Sequence, residues 1–114
     1  MDQNKKIKNL QNQIKINLSD ILFMKVNNPK VKYFSINDVE LTKDLLNAKI
    51  YVSYFNKEKE KIYFKEFAKV KGFLRSELAK RLEVRKVPNL EFVIDNLIDK
   101  IEEIDKLIEK SNDK

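Results

Sequence analysis

Cysteine and histidine are absent from this 114-residue chain, and glycine occurs once. Without cysteine there is no disulfide, no thiolate nucleophile and no cysteine-based zinc site. Without histidine the commonest general base near neutral pH is missing, along with the commonest transition-metal ligand. A single glycine excludes the glycine-rich phosphate loops of P-loop and dinucleotide-binding proteins. Long apolar runs are also missing, so no segment is expected to span a bilayer. No charged stretch leads into an apolar one at the N-terminus, so no secretory signal is expected and the location reads as cytoplasmic. The carboxylates that remain are scattered along charged helical faces. These absences argue against an enzyme, and no catalytic residue, metal or cofactor is expected.

Hydrophobic residues make up 42% of the chain and charged residues 37%. That is enough apolar material for one folded domain, and too much for a disordered tail. The formal charge is +6, unevenly spread. Residues 57–86 hold 11 basic and 5 acidic side chains, whereas residues 87–114 hold 4 basic and 8 acidic. A basic middle block points to a polyanion, nucleic acid above all. The plainer reading is compositional, because a lysine-rich chain carries lysine on every solvated face.

Ile7, Leu10, Ile14, Leu18, Ile21 and Leu22 recur at three- and four-residue steps, which predicts an amphipathic helix over about 3–26. Asn27-Asn28-Pro29 ends it. A strand over 33–41 follows, its alternation slipping between Ile36 and Val39, so a bulge is expected at Asn37-Asp38. After a turn at Thr42-Lys43-Asp44, Ala48, Ile50, Val52 and Tyr54 mark one face of a second strand, paired with the first as an antiparallel hairpin. Residues 56–61 read as a charged loop, and 62–82 as a second helix with Phe67, Val70, Leu74, Leu78 and Leu82 inward. Leu90, Phe92 and Ile94 predict a third strand. Leu97, Ile101, Ile104 and Ile108 predict a last helix over about 96–110. The order α-β-β-α-β-α gives a two-layer α+β fold, a three-stranded sheet packed on helices. One domain over 1–110 and a short disordered tail at 111–114 are expected.

Gly72 is the most informative position, since glycine inside a helix costs about 1 kcal/mol relative to alanine. It shares a water-facing stripe with Lys65, Lys69, Ser76 and Lys80. A kink there would bare backbone N–H groups among cations and suit a phosphate, and alanine at 72 would then destabilise the protein. The bland alternative is a tolerated weak point. Lys71, Arg75, Arg81, Arg85 and Lys86 extend the basic surface. All the arginines of the chain lie between 75 and 85, and arginine grips phosphate bidentately and stacks on bases. Pairing with Glu77 or Glu83 is the alternative for Arg81. Tyr51 and Phe55 are candidate base-stacking residues, but core packing is the expectation for them. Lys5, Lys6, Lys8 and Lys15 decorate the first helix, which lacks large aromatic membrane anchors. The acidic tail reads as a solvated face.

Read together, Asn28-Pro29-Lys30, the stretch Asp38-Val39-Glu40-Leu41-Thr42-Lys43-Asp44-Leu45 and Ala48-Lys49-Ile50-Tyr51-Val52-Ser53 resemble the first half of ribosome-binding factor A. Gly72-Phe73-Leu74-Arg75-Ser76-Glu77-Leu78-Ala79-Lys80-Arg81-Leu82, followed by Arg85-Lys86-Val87-Pro88-Asn89-Leu90-Glu91-Phe92 and Asp95, resembles its most characteristic stretch. The likeness covers roughly residues 10–108. It implies a type II KH-like fold whose usual glycine loop is replaced by an interhelical kink, written alanine, any residue, glycine. The matching positions are Val70, Lys71 and Gly72, so valine here departs from the pattern. Ile101 stands where the family often has a further glycine. The resemblance also implies a monomer without cofactor or small-molecule substrate. Its implied partners are the free small (30S) ribosomal subunit and 16S rRNA near the 5′-terminal helix, and its role is late maturation and processing. Two other readings stay open, a general KH-like binder of single-stranded RNA and a protein-interaction module without RNA.

Overall fold

An apolar residue at every third or fourth position gives the first segment one water-avoiding stripe, and the computed structural model, which describes residues 2–95, winds it into α1 (Asp2–Lys25). Ile14, Leu18, Ile21 and Leu22 are buried along that stripe, and Ile7 and Leu10 pack at its edge. Asn27-Asn28-Pro29 ends α1 as expected, and it also starts a helical turn that the sequence did not reveal, α2 (Pro29–Lys32). The Asn28 side chain accepts from the Lys30 N–H at 3.0 Å. Proline fits the first helical position because its missing N–H is not needed there. Val31 of this turn is fully buried.

Strand β1 (Ser35–Leu41) begins two residues later than expected, because Tyr33 caps α2. Its register against β2 (Asn47–Ser53) is antiparallel and shifts between Ile36 and Asp38, the expected bulge. Gln11 of α1 accepts from the Leu41 N–H at 3.0 Å, tying helix to strand. In the hairpin turn the Asp44 carboxylate accepts from the Thr42 hydroxyl at 2.6 Å and the Leu46 N–H at 3.0 Å. Leu45 there sits at φ 62, in the left-handed region.

Two expectations are corrected between β2 and the third strand. Residues 56–61 are not a loop, since α3 (Lys57–Phe64) starts there. Asn56 caps it, its side chain accepting from the N–H groups of Glu58 and Lys59. Nor does one helix run over 62–82. The chain turns at Lys65-Glu66 and resumes as α4 (Phe67–Arg81), which passes unbroken through Gly72. The interhelical break is therefore at 65–66 and not at Gly72, whose φ is not positive. The physical reason lies in the core. The break lets Tyr63 reach Tyr54 while Phe67 stacks on Phe92 (ring centroids 4.6 Å apart) and meets Phe34 edge-on at 5.0 Å. Such aromatic pairs add to burial itself.

Strand β3 (Asn89–Ile94) pairs parallel with β2, giving the sheet order β1-β2-β3. Ile36, Val39, Leu41, Ala48, Ile50, Val52 and Leu90 of the sheet are buried against Leu74 and Leu78 of α4 and the stripe of α1. Burying one such aliphatic side chain contributes roughly 1.5–3 kcal/mol. The result is an α+β arrangement of a three-stranded sheet with helices on one face. The helix expected over 96–110 and the acidic tail lie outside the described residues.

Candidate nucleic-acid interface

Helix α4 turns Phe67, Leu74 and Leu78 inward, so the opposite stripe of Lys69, Gly72, Ser76 and Lys80 faces water, with Lys65 exposed just before it at the break between α3 and α4. Glu66 and Glu77 lie at its edge, and each holds two ammonium groups. Glu66 binds Lys69 at 2.9 Å and Lys30 at 3.4 Å. Glu77, itself only 7% exposed, binds Lys80 at 3.0 Å and Lys25 at 3.0 Å. Both carboxyls are held below the usual glutamate range, chiefly by hydrogen bonds from Lys69 and from Lys80 respectively, then by Lys30 and Lys25. Each cluster keeps one net positive charge and fixes its lysines in position. Lys25 and Lys30, from the end of α1 and from α2, thus join the surface of α4. Sequence reading missed both, because only the packing of α1 and α2 beside α4 brings them there.

The remaining predicted residues divide by what they touch. Arg75 is half-buried and donates to the carbonyl oxygens of Val87 (2.9 Å) and Pro88 (3.3 Å), so it ties α4 to the connector before β3. Arg81 pairs with Asp20 of α1, not with Glu77 or Glu83. Arg85 and Lys86 sit on the exposed bend before β3 without a side-chain partner among the described residues, and Lys71 and Lys65 are likewise unpaired there. Gly72 has open space around it: a Cβ would meet nothing within 4 Å.

The other side of the molecule has the opposite character. Register places Glu40, Lys49 and Glu91 in one outer row of the sheet, and Asp38, Tyr51 and Val93 in the next. The Tyr51 hydroxyl donates to Glu40 at 3.3 Å. Partial burial, then the charges of Glu40, Asp38 and Asp95, push that hydroxyl up from its ordinary pKa. Phosphate is repelled from such a face. Tyr51 and Phe55 were expected in the core, and neither is there: Tyr51 lies half-buried on this outer face, and Phe55 is 83% exposed. α1 also presents an aromatic that the sequence reading passed over, Phe23, with the Lys32 ammonium 5.7 Å from its ring centre.

The profile of the ribosome-binding factor A family matches residues 6–108. Ribosome-binding factor A of Staphylococcus carnosus is 41% identical over 98 residues, which span 85% of each chain. The crystal structure of ribosome-binding factor A from Thermus thermophilus superposes with a TM-score of 0.69 at 25% identity, covering 77% of this chain and 93% of that one. A homology model of the Thermus thermophilus factor, fitted into the cryo-EM map of a complex of 30S with ribosome-binding factor A, gives a TM-score of 0.64 at 26% identity, over 75% of this chain and 90% of that one. Matched over nearly its whole length in sequence and over most of its length in fold, the chain belongs to the ribosome-binding factor A family.

Proposed function

We propose that this protein is a non-enzymatic assembly factor, a monomer that binds the free small ribosomal subunit through 16S rRNA. It acts near the 5′-terminal helix and assists late maturation and processing of that RNA. Its fold, on this reading, is a single type II KH-like domain, and its location is the cytoplasm. The supporting observation is the division of the surface. Cations held by Glu66 and Glu77 line the helical side, and carboxylates line the outer face of the sheet, so a polyanion is drawn to one side only. A relative of the same fold sits in a 30S complex.

Lys65, Lys69, Lys71, Lys80, Arg85 and Lys86 supply the phosphate contacts in this account, and Arg81 contributes only the donors that its pair with Asp20 leaves free. Gly72 keeps the backbone between them uncovered, so that RNA can approach closely. Arg75 enters differently from the sequence expectation. It shapes the surface by holding the 87–88 connector, and only its remaining donors are left for phosphate. Sedimentation of cell lysate tests the proposal: the protein should travel with free small subunits and be absent from translating ribosomes. Its recovery at the top of the gradient with free RNA would favour a general single-stranded RNA binder.

A further inference from the structure

Most exposed apolar side chains of a folded protein carry no message. Phe55 differs because it is largely exposed and yet rests against a buried aromatic ring. Its ring is 83% exposed and lies 4.5 Å, centre to centre, from the ring of Tyr54, tilted by 33°. Tyr54 is buried and wedged between Phe34 and Tyr63. The backbone on both sides of Phe55 is pinned. The buried Glu60 carboxylate accepts the Tyr54 N–H at 2.8 Å, and Asn56 caps α3 through its side chain. One side of the Phe55 ring is thus backed by the core, and the ring is otherwise open to water. Lys57, Lys59 and Lys61 follow directly on α3, whose N-cap is the very next residue; they alternate with Glu58 and Glu60, and Lys57 pairs with Glu60 at 3.2 Å.

We propose that Phe55 is a stacking platform for one unpaired RNA base, with Lys59 and Lys61 of α3 beside the neighbouring phosphates. This rests on the reading of the protein as an rRNA binder and adds that the RNA it holds includes a single-stranded nucleotide. A flat aromatic with a preset orientation loses little entropy when a base settles on it. Every base offers a π face, so stacking needs no particular sequence. Tyr51, the other candidate, is excluded from this role because its hydroxyl is committed to Glu40 on an acidic face. A protein partner could also cover an exposed phenylalanine, but Lys61, exposed and unpaired among the described residues, and the net positive charge of residues 57–61 favour RNA.

The chain has no tryptophan, so Phe55→Trp installs a single fluorescent reporter at the platform. The full-length variant is titrated with a single-stranded RNA dodecamer and with a fully paired duplex of the same length. Stacking predicts quenching by the single strand and little by the duplex. In binding assays Phe55→Ala should weaken the single-stranded RNA by a factor of roughly 5 to 150, Phe55→Tyr should retain affinity, and Phe55→Leu should not restore it. A melting midpoint within about two degrees of the parent is expected for Phe55→Ala, because so exposed a ring contributes little to folding. Full affinity in Phe55→Ala, or rescue by leucine, overturns the stacking while leaving small-subunit binding intact. A large loss of stability with RNA affinity unchanged also overturns it, by showing that the ring is covered within this chain. If the parent protein binds neither the dodecamer nor small subunits, the functional reading falls and the platform with it.

Discussion

Replacing Gly72 by alanine separates two accounts of α4. If the chain kinked at this residue with dihedrals suited to glycine, the added methyl would strain the backbone and lower stability by about 1–3 kcal/mol. The observed geometry gives the opposite sign. Gly72 lies inside an unbroken helix of 15 residues, its φ is not positive, and a Cβ placed on it touches nothing within 4 Å. No burial is gained and no clash arises, so the difference in intrinsic helix propensity decides. Alanine is favoured over glycine by about 1 kcal/mol in a helix interior. For a chain of this size that corresponds to a rise in melting midpoint of about 4 °C. Thermal and urea denaturation followed by circular dichroism measure it, with an unchanged urea slope as the check that the unfolded state is the same. A lower midpoint would refute the unbroken helix and restore the kink. Small-subunit binding is read on the same samples. Weaker binding by the more stable variant places the need for glycine at the RNA surface, where the methyl hinders close approach.

Further outcomes follow from the contacts around the site. Arg75→Ala removes two charge-assisted bonds to the Val87 and Pro88 carbonyls and should cost about 1.5–3 kcal/mol in urea unfolding; a neutral result would show the tie to be incidental. Arg85→Glu with Lys86→Glu should lower affinity for small subunits with no change in unfolding midpoint, since neither side chain has a partner among the described residues. Glu60→Ala leaves the buried Tyr54 N–H without its acceptor and should cost about 1–3 kcal/mol, measured by denaturation. Glu66 and Glu77 are held below the ordinary glutamate value of 4.5, so their ion pairs stabilise the fold above that pH. The contribution is lost as pH falls through the depressed folded values. An acid melting series should show it, and Glu66→Gln with Glu77→Gln should flatten that limb.

Much of the fold was legible because hydrophobic periodicity is a direct record of burial. The stripe from Ile7 to Leu22, the hairpin and the slip at Asn37 could all be read from spacing alone. Helix α3 escaped because residues 57–61 alternate Lys and Glu, which presents no apolar stripe; its start is marked only by the Asn56 cap. The break at Lys65-Glu66 escaped because its cause is the distant rings of Tyr54, Phe34 and Phe92. The cationic surface was half legible. The stripe on α4 follows from helical geometry, whereas Lys25 and Lys30 join it only through the packing of α1 and α2. Arg75 looked like a free cation because its acceptors are backbone carbonyls, which leave no trace in side-chain chemistry.

The claim that cations on the helical side bind rRNA phosphates is tested most directly by the affinity for purified free small subunits as salt is raised. Neutralising about four to six phosphates predicts a log–log slope of roughly −3 to −5, and it should become shallower in the Arg85→Glu, Lys86→Glu protein. An affinity that stays flat from low to physiological salt would contradict the account.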